Sequence, residues 1–179
     1  MVYNGIIEGR YVNLRSVEEK DAEFLLSVRN NPRISKYLPP LDVTVEQQRQ
    51  WISMQRADHE SYYFLMSTPD GEPIGSISVY DIEGDTAETG RFCSLGDPAS
   101  NIEAAILLTD FCFDELNLNS IHIWVYEGNK SVLKLNEGLG YEWGETVLAK
   151  DGRECRIGRM TKESYLPKRK KLSKMLKLN

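Results

Sequence analysis

Histidine is scarce in this chain, and cysteine is both scarce and scattered. The two histidines, His59 and His122, are far apart. A histidine-centred triad or metal site would need partners that no local spacing supplies, so both are set aside. The three cysteines, Cys93, Cys112 and Cys155, are odd in number and show neither zinc nor disulfide spacing. Cys112 falls in the apolar pattern of a helix and the other two in strand-like segments, as expected of small buried hydrophobes in a reducing compartment. No apolar run approaches the ~20 residues that span a bilayer. The first residues, Met1 to Gly5, have neither the basic segment nor the apolar stretch of a signal peptide, so a cytoplasmic location is expected. Internal repeats, low-complexity tracts and inter-domain linkers are also lacking.

What is present fits one ordinary globular domain: 179 residues, 41% hydrophobic and 27% charged. The net charge of −5 hides an asymmetry. Lys168, Arg169, Lys170, Lys171, Lys174 and Lys177 crowd the C-terminus with no acid among them. Without these six, sixteen bases face 27 acids, a charge of −11 on the body. An acidic body argues against general nucleic-acid binding and suits a cationic substrate such as a polyamine or a basic peptide.

Periodicity gives the order of elements. Residues 9–15 alternate as a strand does. Ser16 reads as an N-cap, with Glu18 and Glu19 in the first turn of a helix that ends near Asn30-Asn31-Pro32. Pro39-Pro40 breaks the next stretch, and Thr44 with Gln47 forms a capping-box pattern opening a second helix. Residues 62–66, 74–82 and 86–95 read as three strands with turns too short for crossovers, hence an antiparallel meander. A helix over 101–116, a strand over 120–126 and a short helix over 130–137 stopped by Gly138 follow. Two final strands are joined by a hairpin turn at Lys150-Asp151-Gly152-Arg153. Strand, two helices, three strands, helix, strand, helix and two strands make a mixed α/β fold, not a doubly wound one. Residues 1–166 are expected to form the domain and 167–179 a basic tail. In that tail Leu172, Met175 and Leu176 would share one face of a helix that docks on the acidic body, a second subunit or an anionic surface.

From Glu88 to Met160 the chain resembles the GNAT superfamily, especially its RimJ/RimL-like and spermidine N-acetyltransferase branches. The resemblance rests on Asn129 opening a helix, with Gly140-Tyr141 placing an aromatic twelve positions later, and on the pair Glu103-Ala104. It implies a mostly antiparallel sheet whose central strands splay apart, and acetyl-coenzyme A as co-substrate, with no metal. The pantetheine arm would lie in the splay beside Phe92, Cys93 and Ser94, and Asn129 would reach it from the start of its helix; Asn129 is equally suited to capping that helix. Helix N-termini bind phosphates through unpaired N–H groups. Here Ala99, Ser100, Asn101, Ile102 and Glu103 would supply them, although the family's glycine-rich loop is replaced by Gly96-Asp97-Pro98-Ala99-Ser100-Asn101 and Pro98 has no N–H.

The transfer implied by that resemblance needs a neutral amine, whose unperturbed pKa is ~10, and therefore a base or a desolvating pocket. Glu88 is the candidate base; a solvent-facing or cross-strand carboxylate is the alternative. The residues that family members use to protonate the leaving thiolate correspond to Asn136 and Val132 here, so neither the tyrosine nor the serine is present. Ser131 is the neighbouring hydroxyl candidate, turned about 100° around the helix by the one-residue shift. Asn136 remains a residue for the coenzyme side. Arg29, Tyr37, Trp51, Tyr80 and Trp124 are the candidates for the acceptor pocket, with core packing as the other reading for the two tryptophans. The expected function is acetyl transfer to a small amine, an amino sugar, a polyamine or a protein N-terminus. The rival is an acyl-coenzyme A-sensing module without turnover.

Overall fold

The computed structural model describes residues 1–38, 41–149 and 151–178. The expected break at Pro39-Pro40 and the Lys150 position of the last hairpin lie outside the described residues. Among the described residues a mixed sheet of eight strands organises the molecule. These are β1 (Ile6–Ile7), β2 (Asn13–Ser16), β3 (Tyr62–Ser67), β4 (Pro73–Glu83), β5 (Thr86–Ser94), β6 (Ser120–Tyr126), β7 (Glu142–Leu148) and β8 (Glu154–Thr161). Their spatial order is β1-β2-β3-β4-β5-β6-β8-β7. Every neighbouring pair is antiparallel except β5 and β6, which run parallel because a helix crosses over between them.

Period-two alternation divides β3 between the two faces of the sheet. Phe64 and Met66 join the larger core with Ile77, Val79, Ala87, Ile121 and Val125. Leu65 and Tyr63 face the other way, toward α1 (Ala22–Arg29) and α3 (Val45–Ala57), with Ala22, Leu25 and Ile52. On the larger core lie α4 (Pro98–Asp110), α5 (Lys130–Leu139) and α6 (Lys162–Leu176). The short α2 (Pro32–Ser35) follows α1. Tyr80, Glu88, His122 and Trp124 occupy alternate positions to the core residues of β4, β5 and β6. They therefore share the face on which α1 and α3 pack.

The capping box expected at Thr44 forms: its hydroxyl accepts from the Gln47 N–H, and the Thr44 N–H donates to the Gln47 side chain at 2.8 Å. Several expected boundaries move, among them that of the first expected strand, which starts at Asn13 and not at residue 9. Ser16 ends β2 instead of capping a helix, because its hydroxyl is bonded to Tyr3; a turn at Glu19–Asp21 starts the helical segment, and the Glu18 N–H donates to Asp21. The central helix starts at Pro98, not near Asn101, with Asp97 as N-cap. It then ends in a wider π-type turn over Phe111–Glu115. Finally, α5 runs through Gly138 and stops at Gly140, whose φ of +113° is left-handed. A Cβ at Gly140 would stand 2.6 Å from the Ser164 carbonyl, so the close approach of α6 also requires glycine.

Helix α6 crosses the expected boundary at 166/167 without interruption. Tyr165 is buried, donating to the Ile106 carbonyl and the Asp110 carboxylate, and Arg169 binds Asp110 with two nitrogens. Leu176 is buried and Leu172 packs against the core, whereas Met175 is exposed. Pro167 is the sixth residue of this helix, beyond the first turn, so the Glu163 carbonyl goes without its intrahelical N–H partner there.

Candidate active site

The parallel ladder between β5 and β6 pairs Thr86 with Ser120, Ala87 with Ile121 and Glu88 with His122, and then stops. Beyond Glu88, the edge of β5 that faces β6 has no strand partner among the described residues. At the base of this opening Thr89 and Tyr141 share a hydrogen bond of 2.6 Å, closing the floor, and burial pushes the Tyr141 hydroxyl pKa up. A cavity of about 880 Å³ fills the opening and continues beneath α1 and α3.

Glu88 lies on the wall of this cavity. One carboxylate oxygen accepts the Tyr80 hydroxyl, and the other lies 3.7 Å from Nε2 of His122. Burial raises the Glu88 pKa above its ordinary value; the Tyr80 hydrogen bond and His122 oppose that shift without cancelling it. Tyr80 is pushed up as well, by burial first and then by the carboxylate it bonds.

The strand carrying Glu88 is bulged. Ser76 pairs with Cys93 but Ser78 pairs with Gly90, so Arg91 and Phe92 stand opposite the single residue Ile77. Arg91 takes φ +50°, a left-handed conformation costing about 1–2 kcal/mol for a residue with a Cβ. Its guanidinium sits 4.2 Å from the Tyr80 ring centre and 5.2 Å from that of Trp51, and donates to Gln55 at 2.6 Å. The bulge re-aims the backbone and swings this side chain into the cavity wall.

The cavity brings together Glu88, Phe92, Cys93, Asn129 and Asn136 with the acceptor-side candidates Arg29, Tyr37, Trp51, Tyr80 and Trp124. Trp124 is 48% exposed, which excludes core packing for it. Asn129 caps α5 by accepting from the Val132 N–H while also lining the cavity, so capping and cavity placement coexist. Asn136 is buried, and its side-chain nitrogen donates to the Val132 carbonyl.

Other sequence candidates lie elsewhere. Ser131 is exposed and outside the cavity wall, as the 100° turn anticipates. The Ser94 hydroxyl accepts from the Gly96 N–H. Ala99, Ser100, Asn101, Ile102 and Glu103 belong to the first turns of α4 and not to a loop around a ligand. The Asp97 carboxylate takes the Ser100 N–H at 2.8 Å, and the Asp97 carbonyl takes the Asn101 N–H. Glu103 is turned inward to accept the backbone N–H groups of Arg10, Tyr11 and Val12. The expected phosphate cradle is thus filled by the chain's own cap and helix bonds. The helix end carries the Asp97 carboxylate where phosphates were expected.

Sequence reasoning missed His122 and Arg91. His122 meets Glu88 only through parallel pairing across a crossover, and Arg91 enters the wall only through a bulge. Among the described residues no group of three histidine, cysteine or acidic side chains could hold a metal ion, and no helix is long and apolar enough to cross a membrane.

Residues 12–142 match the acetyltransferase (GNAT) domain family, well over half of the chain, and the protein belongs to that family. No curated protein matches it. Among solved structures, apo FdhC, a nucleotide-linked sugar GNAT, superposes with a TM-score of 0.80 at 24% identity, covering 97% of this chain and 99% of that one. The spermidine N-acetyltransferase from Vibrio cholerae, solved with CoA and spermine, gives 0.78 at 18% identity over 88% and 99%. A GCN5-related N-acetyltransferase from Brucella melitensis gives 0.81 at 15% identity over 97% and 86%. At these identities the likeness is one of fold.

Proposed function

We propose that this protein transfers an acetyl group from acetyl-coenzyme A directly to a primary amine held in the same cavity. The observation that carries the reading is the splay between β5 and β6, which opens onto a cavity with Glu88 on its wall. The unpaired edge of β5 offers backbone groups to an extended arm, as an added strand would use them, beside Phe92 and Cys93. Acetyl-coenzyme A supplies an activated thioester. Glu88 takes the proton of the amine, directly or through one water, and its raised pKa brings it closer to the pH at which a base works best. Tyr80 holds one oxygen of Glu88 and so fixes the orientation of the other. Asn129, at the start of α5, lines the cavity, which supports a contact with the arm. The Glu103-Ala104 pair and the Asn129-to-Tyr141 spacing favour the RimJ/RimL-like branch.

A second reading, acyl-coenzyme A binding without turnover, is favoured by Asn136 and Val132 at the positions of the family's acids. Loss of a general acid costs about 10²–10⁴-fold, which slows a transferase without abolishing it. Calorimetric titration with acetyl-coenzyme A and with free coenzyme A, followed by thiol release across an amine panel, separates the two. Micromolar binding with amine-dependent thiol release supports transfer. Binding with no release from any amine supports the sensor, and absence of binding at millimolar ligand sinks both.

A further inference from the structure

Three charged side chains line the cavity among the described residues: Arg29, Arg91 and Glu88. Two are cations and one is a carboxylate, whereas the body as a whole is acidic. Substrate charge is selected by the local field inside a low-dielectric cleft, and this field is opposite in sign to the overall charge. Arg91 is the more informative of the pair. It makes no ion pair with any described carboxylate, and its side-chain hydrogen bonds among the described residues come from one nitrogen, Nη1, to Gln55 and Ser61. Among the described residues its Nε and Nη2 donate to nothing. The guanidinium is held by the faces of Tyr80 and Trp51, which fix its position without neutralising its charge. A structural arginine at a bulge would gain more from a carboxylate partner; here neutral Gln55 stands in that place. Arg29 brings a second positive charge from α1, close enough to oppose the burial that pushes the Cys93 thiol up.

The Tyr80 hydroxyl binds Glu88 while its ring carries Arg91, so the base and the exposed guanidinium edge are about one tyrosine ring apart. We infer that the acceptor is an amine that also bears an anionic group, a carboxylate or a phosphate a few bonds from the nitrogen, with Arg91 and Arg29 holding the anion and Glu88 facing the amine. This inference rests on the transferase reading for the role of Glu88 and replaces the polyamine that overall acidity favours. Guanidinium recognises carboxylate and phosphate alike through paired N–H donors, so the chemistry is shared and the test separates its sources.

The test compares matched amines: alanine against alaninol for the carboxylate, glucosamine 6-phosphate against glucosamine for the phosphate, and spermidine as the cationic control. Acetyl-coenzyme A-dependent thiol release gives kcat/KM for each, and calorimetry without donor gives amine affinity independently of turnover. The anionic member of at least one pair is expected to be favoured about tenfold or more. Arg91→Gln and, separately, Arg29→Gln should bring that ratio toward one, and the responding pair identifies the anion. Preference for spermidine or for the neutral members, or a ratio indifferent to both substitutions, overturns the inference. If nothing is acetylated, calorimetry decides. Binding of an anionic amine that both variants weaken upholds Arg91 and Arg29 as the anion site while sinking the transferase reading and the role of Glu88, and no binding of either anionic amine ends the inference.

Discussion

Glu103 offers a test in which a structural and a functional role predict opposite results. Its carboxylate accepts from the N–H groups of Arg10 at 2.8 Å and Val12 at 3.0 Å, and from Tyr11 between them. Glu103 and Val12 are essentially inaccessible to solvent. Replacing Glu103 by Gln keeps the volume, removes the charge and points an NH₂ group at a cluster of donors. Hydrogen bonds to charged groups are worth about 1.5–3 kcal/mol each, and a stranded buried N–H costs about 1–3 kcal/mol. Two of the three amides are only partly buried and can recruit water, so a loss of about 3 kcal/mol is expected. For a domain of this size that lowers Tm by about 6–12 °C. Gly9→Ala should act in the same direction, because a Cβ there would meet the Glu103 carboxylate at 2.8 Å and the Val12 carbonyl at 2.4 Å. The assay is thermal unfolding of the wild type and both variants, beside calorimetric titration with coenzyme A. An E103Q protein that melts with the wild type but binds coenzyme A tenfold more weakly would refute the turn-clamp role and restore Glu103 to the ligand.

Further predictions concern charge and backbone. Glu88→Gln should slow thiol release about 10²–10⁴-fold and abolish the acidic limb of kcat/KM, which in the wild type lies above the ordinary carboxylate value of 4.5. Because the folded pKa is raised, Glu88 contributes stability below its unfolded pKa that is lost as pH rises through the folded one. E88Q should therefore melt no lower than the wild type at neutral pH; a matching loss of stability would mean its effect on rate is structural. Asp97→Asn preserves the cap bond to Ser100 and removes the negative charge at the start of α4. Coenzyme A should then bind a few-fold more tightly at low salt, and the gain should fade at high salt; an unchanged affinity would place the phosphates away from this helix end. Gly140→Ala should cost about 2–4 kcal/mol through strain at positive φ and the clash with Ser164, read as a lower Tm. A wild-type melt would show that α6 can shift to make room.

The parts of the fold legible in the sequence are those specified by neighbours along the chain. Strand β6 carries its alternation in five consecutive residues, and Thr44 with Gln47 closes its own box. Asp97-Pro98 was also a local signal, an N-cap followed by proline at the first helical position. The apolar periodicity from Ile102 onward outweighed it, placing the helix start three residues late and turning helix amides into a supposed loop. Gly138 and Gly140 are locally equivalent as helix stops. What selects Gly140 is the backbone of α6 lying against it, from more than twenty residues away.

The site was less legible because its chemistry depends on pairings between distant segments. Glu88 and His122 become neighbours only once α4 has crossed over and set β6 parallel to β5 in one particular register. A shift of one residue would turn His122 to the core and bring Ile121 or Ile123 opposite Glu88 on the wrong face. Arg91 illustrates the same point for charge. Read along the sequence it is one of 22 basic residues in an acidic protein. One extra residue in β5 turns it onto the rings of Tyr80 and Trp51, without a carboxylate partner, where it sets the sign of the field that an incoming amine meets. Net charge averages over a surface the substrate never touches, so the two arginines on the cavity wall outweigh the −11 of the body in deciding what binds.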